Sequence, residues 1–288
     1  MLLECDQIAK HYDRFQLGPV SLDMAPGMIT GFAGPNGAGK STTLKILMGL
    51  LQPDEGEVRF QGKVVNRHDN SWKADVGFVG EQQCFHDGWS VARNLKFHAR
   101  IQPNWCMDRA EAIAKRLELD PLKKTKTLSR GNRVKLALTC ALAHNPKLLI
   151  LDEPTSGLDP LTRSEVLDLL REHVSDSQRS VLFSTHIIPD LARVADNLTL
   201  IQNGRIILSG APETLTDSWR RICFRFPFNG IELPGVVEHQ EEGGRHLVVT
   251  NAWEEAKRVL DQKGALVQDI TRVSLDEAAV FALKGVAA

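Results

Sequence analysis

The chain has 288 residues, 42% of them hydrophobic and 25% charged, with a formal net charge of −1 at pH 7. That length allows a full core and two domains, or one domain with an appendage, and the near-neutral balance gives no global pull toward nucleic acid. Five cysteines (Cys5, Cys84, Cys106, Cys140, Cys223) form no Cys-x-x-Cys pair, so neither a disulfide framework nor a zinc site is supported and reduced cytosol is the natural compartment.

The segment 28–33 reads as a short buried strand, and apolar residues at Leu44, Leu47, Met48 and Leu51 predict a helix over 40–51. Between them lies Gly34-Pro35-Asn36-Gly37-Ala38-Gly39-Lys40-Ser41. Val58 to Phe60 and Lys63 to Val65 flank Gly62 as a hairpin, and Val76 to Val79 forms a further strand. The stretch 82–145 has helical periodicity and almost no strand signal, which marks an inserted helical region. It holds twelve Lys/Arg against five Asp/Glu, a local excess that fits a solvated helical surface or a face turned to anionic headgroups or an acidic partner loop. The most apolar runs, 136–143 and 148–151, fall far short of the roughly 18 residues that span a bilayer, and the start of the chain lacks a signal-peptide pattern. Any membrane role is therefore expected to run through a partner chain.

Lys147 to Leu151 is a strongly apolar strand ending in Asp152-Glu153. Helices over 161–174 and 188–195 enclose a strand over 181–184, and Asn203-Gly204 joins 198–201 to 205–208 as a two-residue hairpin. The alternation is α/β with a mainly parallel sheet. After Pro212 the pattern becomes a small α+β appendage: strands over 221–226, 236–239 and 245–250, a turn at Glu242-Gly243-Gly244, a helix from Asn251, and a strand over 265–273. Asn251 to Glu254 and Ser274 to Glu277 both resemble capping boxes.

The Gly-x4-Gly-Lys-Ser pattern lies where a strand leads in and a helix leads out. That context places consecutive backbone N–H groups around phosphate oxygens at a helix N-terminus of about half a positive charge. Gly37 and Gly39 keep side chains clear, Lys40 reaches the β- and γ-phosphates, and Ser41 offers a ligand to Mg²⁺. Asp152 and Glu153 stand at the C-terminal end of a strand, where open α/β sheets bind ligands. Asp152 suits a Mg²⁺ shell of hard oxygen donors and Glu153 suits polarisation of the attacking water.

Taken together, Gly34 to Ser41, Leu128-Ser129-x-Gly131, Asp152-Glu153, Leu158-Asp159 and His186 resemble the nucleotide-binding subunit of ATP-binding cassette (ABC) transporters, over roughly residues 2 to 215. Within that family the chain looks most like subunits of two-component exporters of the ABC-2 type, on Leu128 to Asn132, Asp152 to Pro160, and Val273 to Glu277. The resemblance implies an α/β, RecA-like ABC ATPase core with an antiparallel β subdomain over 1–81, a helical signature subdomain over 82–145, the rest of the core over 146–211, and the α+β domain over 212–288. It also implies ATP and Mg²⁺ as cofactors.

By the same resemblance, two subunits pair head to tail with each ATP between the Gly34 loop of one and the Ser129 motif of the other. Gly34, Pro35, Asn36, Gly37, Ala38, Gly39, Lys40, Ser41 and Thr42 then bind nucleotide with Ser129 and Gly131. Tyr12 stacks on adenine, Asp159 lies at the dimer seam, and His186 stands near the γ-phosphate. The other eight histidines read as structural or solvated. Every motif lies in one chain, so a homodimer is the default and a heterodimer with a related subunit the alternative. The partner is a separate transmembrane permease, docked around residues 81–95 including Trp89, which places the chain on the cytoplasmic face of a membrane.

The chain departs from the family pattern after Val79. Gly80-Glu81-Gln82-Gln83 stands where a glutamine usually links Mg²⁺ to the transporter contact, so Glu81 takes that position, as a metal ligand with catalytic bearing, or Gln82 substitutes by a one-residue shift. Arg130 and Asn132 replace the commoner glycine and glutamine. A rival reading is a soluble cassette ATPase acting on nucleic acid or ribosomes. One set of motifs and roughly 85 residues between Lys40 and the signature leave no room for a second cassette or a long coiled coil, so no nucleic-acid partner is expected. A binding module without turnover is disfavoured by the presence of Glu153 and His186.

Overall fold

Two ten-residue strands, β1 (Leu3–Tyr12) and β2 (Phe15–Met24), open the chain as an antiparallel hairpin in which Tyr12 faces Phe15 across the turn. Their alternation is broken by register shifts between Cys5 and Lys10, where Gln7 adopts a φ of 47°, so the period of two that betrays a strand is lost. The structure is a computed structural model describing residues 1–66, 68–225 and 232–285, and it divides into two compact units, Met1–Ile206 and Ile207–Ala288.

In the first unit β3 (Ile29–Ala33) leads into α1 (Lys40–Leu47), followed by β4 (Glu55–Phe60), β5 (Lys63–Val64) and β6 (Val76–Val79). The helix expected to reach Leu51 stops at Leu47. Gly49 takes a φ of 62°, and the Leu50 and Leu51 N–H groups both turn back onto the Lys45 carbonyl, a left-handed stop that overrides the apolar spacing. Then come α2 (Val91–Ile101), α3 (Met107–Arg116) and α4 (Arg130–Leu142), the helices expected between 82 and 145. The unit finishes with β7 (Leu148–Asp152), α5 (Pro160–His173), β8 (Ser180–Thr185), α6 (Ile188–Val194), β9 (Asn197–Gln202) and β10 (Arg205–Gly210), the last running across the boundary.

Two sheets result. One has the order β2-β1-β4-β5, with antiparallel pairings; the other has the order β10-β9-β3-β8-β7-β6, with β9, β3, β8, β7 and β6 parallel. Every residue of β3, β7 and β8 is buried. A parallel sheet covered on both faces favours such unbroken apolar runs, which is why Leu148-Leu149-Ile150-Leu151 was legible without a partner. Phe32, Ile150 and Leu182 of that sheet share a core with Leu44 and Leu47 of α1 and with Leu3 and Ile8 of β1. The phosphate-loop helix is thereby clamped between the two sheets.

The second unit contains α7 (Pro212–Asp217), β11 (Arg220–Arg225), β12 (Val236–Glu242), β13 (Arg245–Thr250), α8 (Trp253–Lys263), β14 (Leu266–Arg272) and α9 (Leu275–Gly285). Its antiparallel sheet has the order β12-β13-β11-β14. Ile222, Phe224 and Val248 pack with Ala256 and Leu260 of α8, while Trp219 and Val249 pack with Ala278 and Phe281 of α9, so alternate residues of the sheet serve different helices. Phe226, expected as the end of a strand, lies outside the described residues. The Ser274 capping box is present: Ser274 N and Oγ donate to Glu277 Oε2 at 3.1 and 2.9 Å, and Glu277 N donates to Ser274 Oγ at 3.4 Å. The Asn251 box is not. Ala252 is the N-cap of α8, and its N–H is taken by Thr250 Oγ1 at 3.0 Å. Among the described residues no helix is long and apolar enough to cross a membrane.

Candidate functional site

Parallel register brings three separate motifs to one edge of the sheet. Ala33 pairs with Thr185 and Asp152 with Ser184, so the Gly34 loop, the Asp152-Glu153 pair and His186 all leave the sheet at the same level. Gly34 is required by packing, because a Cβ there would come within 2.2 Å of the Ile201 carbonyl oxygen on β9. Gly37 has a φ of 80° and a Cβ on it would meet only open space. Gly39 is the N-cap of α1, whose first turn has no side-chain cap and no acidic residue. The positive end of the helix is thus free for an external anion.

Beside it lies a cleft of ≈ 620 Å³. Asn36, Gly37, Gly39, Lys40, Ser41 and Thr42 form one wall, and Glu81, Glu153, Ser156, His186 and Phe15 complete it. Lys40 is 5% exposed; its ammonium donates to the Gly34 carbonyl at 2.8 Å and the Pro35 carbonyl at 3.2 Å, and stands 3.2 Å from Glu153 Oε1. Ala38 is buried and its carbonyl accepts from Gly204 N, which ties the loop to the β9–β10 turn. Glu153 Oε2 is 2.8 Å from His186 Nδ1, completing a chain of three charged or chargeable groups. Buried Lys40 and Glu153 stand against one another, where an unpaired buried ion would cost several kcal/mol.

Glu153 has a left-handed backbone, with a φ of 51°, and its N–H donates to the Ser184 carbonyl at 3.1 Å and to Ser184 Oγ at 3.3 Å. Ser184 Oγ in turn donates to Asp152 Oδ1 at 2.6 Å. Strain of this kind persists where surrounding bonds over-determine it and clusters at functional sites. Glu153 Oε1 is buried without a hydrogen bond, the 3.2 Å approach of Lys40 being badly angled for one. An anion-binding helix end, an oxygen-rich pair of carboxylates and the Ser41 hydroxyl are the donor set that a phosphate chain with a hard divalent cation requires.

The sequence-predicted residues divide into two places. Asn36, Gly37, Gly39 to Thr42, Glu81, Glu153 and His186 meet at the cleft, with Gly34 and Pro35 beneath Lys40, Ala38 buried behind the loop and Asp152 held by Ser184. Glu81, and not Gln82, lines the cleft. Tyr12 is 47% exposed at the hairpin end, its ring 6.4 Å from that of Phe15, and Phe15 is the aromatic residue in the wall. Phe15, Ser156 and Ser184 were not among the expected site residues, although Ser156 and Ser184 lie within the motifs that run into Asp159 and His186. Phe15 faces Tyr12 across a tight turn, a relation hidden until that hairpin is recognised.

Ser129, Gly131 and Asp159 lie together elsewhere in the same unit. Ser129 is the N-cap of α4 and accepts from Asn132 N at 3.2 Å. Asp159 caps α5, accepting from Leu161 N at 3.1 Å and Thr162 N at 3.0 Å, and the bond from Thr162 N–H holds its carboxyl below the usual carboxylate range. A Cβ on Gly131 would lie 3.4 Å from Thr162 Cγ2, and one on Gly157 would lie 3.2 Å from an Arg130 guanidinium nitrogen. The two helix starts therefore form one small exposed platform.

A glycine loop between a parallel strand and a helix, a buried lysine, and strand-end carboxylates define a phosphate-loop nucleoside triphosphatase. The family profile described as "ABC transporter" matches residues 17–156. The Nod factor export ATP-binding protein I of Paraburkholderia xenovorans is 33% identical over 222 residues, covering 75% of this chain and 73% of that one. The ABC transporter ATP-binding protein YtrB of Bacillus subtilis is 30% identical over 206 residues, covering 71% and 70%. Among solved structures, the ATP-binding subunit of an ABC transporter superposes with a TM-score of 0.67 at 26% identity, over 75% of this chain and 92% of that one. A dimeric ATP-binding cassette in a post-hydrolysis state with ADP and Pi gives 0.66 at 25% identity, over 73% and 98%. The chain belongs to the ABC transporter family: it is an ATP-binding, ATP-hydrolysing subunit of that family.

Proposed function

We propose that two copies of this chain close head to tail over two ATP molecules and that this closure drives export by a separate membrane-embedded permease of the ABC-2 type, on the cytoplasmic face of a membrane. The observation that carries the reading is the separation of Ser129 and Gly131 from the cleft of Lys40, Glu153 and His186 within one chain. Both groups suit a phosphate, yet they do not line one cleft, so a second copy supplies the missing wall. Export follows the printed names of relatives such as the Nod factor export protein and the probable multidrug ABC transporter ATP-binding protein YbhF of Escherichia coli, which is 33% identical over 74% of this chain and 38% of that one.

In this reading the first-turn amides of α1 and the Lys40 ammonium bind the β- and γ-phosphates. Lys40 exchanges its carbonyl partners and Glu153 for phosphate oxygens, which frees Glu153 Oε1 to accept a proton from the attacking water. His186, already bonded to Glu153 Oε2, keeps that carboxylate oriented. Ser41, Asp152 and Glu81 would hold a Mg²⁺, which neutralises charge on the phosphates when bound. Phe15 and Tyr12 offer ring faces to adenine, a contact that reads little base identity.

Around the proposed permease contact, His86 stacks on Trp89 at 4.4 Å, the Arg93 guanidinium lies 4.6 Å from the Trp89 ring centroid, and Phe97 is 44% exposed. The test is a Glu153→Gln variant with saturating Mg-ATP, examined by light scattering alone and beside the permease that co-purifies from membranes. A dimer is expected. A strict monomer in both settings would sink the reading.

A further inference from the structure

The second unit carries a cluster that the ATPase reading does not use. His239 and Glu241 alternate on β12, and register pairs Glu241 with His246 on β13, so all three side chains stand on one face of the sheet. His239 Nε2 lies 3.0 Å from His246 Nδ1, and Glu241 Oε2 lies 3.9 Å from the same Nδ1. One ligand atom from each of the three falls within 4.8 Å of the others.

The scaffold behind the cluster is rigid on one side and open on the other. His246 is buried, 7% exposed, and its ring stacks on Phe224 of β11 with centroids 4.9 Å apart and planes at 12°. His239 and Glu241 are exposed on β12, an edge strand, and a cavity of ≈ 350 Å³ opens between His239, His246 and Glu232. A fixed ligand on the sheet interior and two adjustable ones on its edge suit the capture of a cation from solution.

We propose that His239 Nε2, His246 Nδ1 and the Glu241 carboxylate form a site for a divalent transition ion of the Zn²⁺ class, with solvent in the remaining position. Two imidazole nitrogens on a tetrahedral ion with bonds of about 2.0–2.1 Å stand roughly 3.3 Å apart, so the present 3.0 Å pair need open by only a few tenths of an ångström. Imidazole with one carboxylate is a donor set that favours zinc over magnesium, which prefers an all-oxygen shell. The ion clips edge strand β12 to β13 on both sides of the Glu242-Gly243-Gly244 turn. That role is independent of ATP chemistry.

The test uses the full chain, stripped with a chelator and titrated with Zn²⁺ by calorimetry in the presence of excess Mg²⁺, with His239→Ala and Glu241→Gln as variants. Both substitutions lie on an exposed edge strand, and an unchanged circular dichroism spectrum together with a retained cooperative melt of the second unit reports that it is folded. We expect one equivalent of Zn²⁺ in the parent chain, at least tenfold weaker binding in each variant, and a Zn²⁺-dependent rise in the melting temperature that the variants lack. Co²⁺ substitution separates this site from one built on cysteine: nitrogen and oxygen ligation gives visible d–d bands without thiolate charge-transfer absorption. Absence of binding, Zn²⁺ affinity unchanged in both variants, or a thiolate charge-transfer band as the sole Co²⁺ signature would overturn the proposal.

Discussion

The cleft around Lys40 and the platform around Ser129 belong to the same unit and are built on opposite physical terms. In the cleft, the buried Lys40 and Glu153 side chains approach one another at 3.2 Å, and Glu153 reaches the exposed His186 ring at 2.8 Å. On the platform the working groups are helix N-caps in solvent, Ser129 on α4 and Asp159 on α5, each satisfying backbone amides. The Lys40–Glu153–His186 contacts of the cleft are all made within one chain. The platform's two caps are satisfied by backbone amides of their own helices.

Substitutions separate the two regions. Glu153→Gln keeps the shape of the side chain but removes the base, and turnover is expected to fall by about 10²–10⁴, equivalent to roughly 3–5 kcal/mol of barrier, with ATP binding retained. Phosphate release and nucleotide titration measure the two sides; loss of binding together with turnover would mean that Glu153 holds the loop and does not act in the chemical step. Behind the cleft, Ser184→Ala removes the 2.6 Å bond to Asp152 and strands a buried carboxylate oxygen. We expect a loss of about 1–3 kcal/mol in denaturant unfolding, against no measurable change if water takes the vacated place.

The far end of α5 gives a pH-dependent contrast with its exposed Asp159 cap. Burial, reinforced by the Arg179 charge, pushes the His173 imidazole from its ordinary 6.5 down to about 4. The unfolded chain therefore binds a proton below pH 6.5 that the folded chain refuses until about pH 4. Stability rises with pH across that window and falls as the pH drops through it, by up to about 2 kcal/mol at pH 5. Buried His144, whose imidazole is also pushed down by burial, adds to the same slope. His173→Gln should flatten the dependence in unfolding curves recorded between pH 7 and 4.5; an unchanged slope would exclude His173 as its source.

The smallest stability effect is expected on the platform. Ser129→Ala removes the α4 cap and costs about 1 kcal/mol or less of monomer stability, while turnover at saturating ATP falls more than that loss explains if Ser129 also meets a phosphate across the dimer. Equal, minor losses in both would reduce Ser129 to a cap.

Much of this site could be read from residues alone, for reasons that differ from motif to motif. Leu148 to Leu151 announced a buried parallel strand, so Asp152-Glu153 had to stand at its end. The structure makes Ser129, expected to bind nucleotide, the N-cap of α4. Phe15 stayed hidden because bulges between Cys5 and Lys10 erase the alternation of β1 and with it the hairpin that sets Phe15 opposite Tyr12. Ser184 looked like the last polar residue of a strand. The double duty of its hydroxyl, toward Asp152 Oδ1 and Glu153 N, exists only once β7 and β8 are in register.

The histidines show the same boundary in the second unit. His239 and His246 lie seven residues apart in a stretch with no metal-ligand spacing, and only the β12–β13 pairing folds that interval back to 3.0 Å. Local order along the chain determined the phosphate loop, the apolar strands, the strand-end carboxylates and the helix starts, since each depends on neighbours a few positions away. Strand register, the Lys40–Glu153–His186 chain and the distance between the cleft and the Ser129 platform were decided by tertiary structure, because they arise from hydrogen bonds and charge pairing between segments that share no local signal.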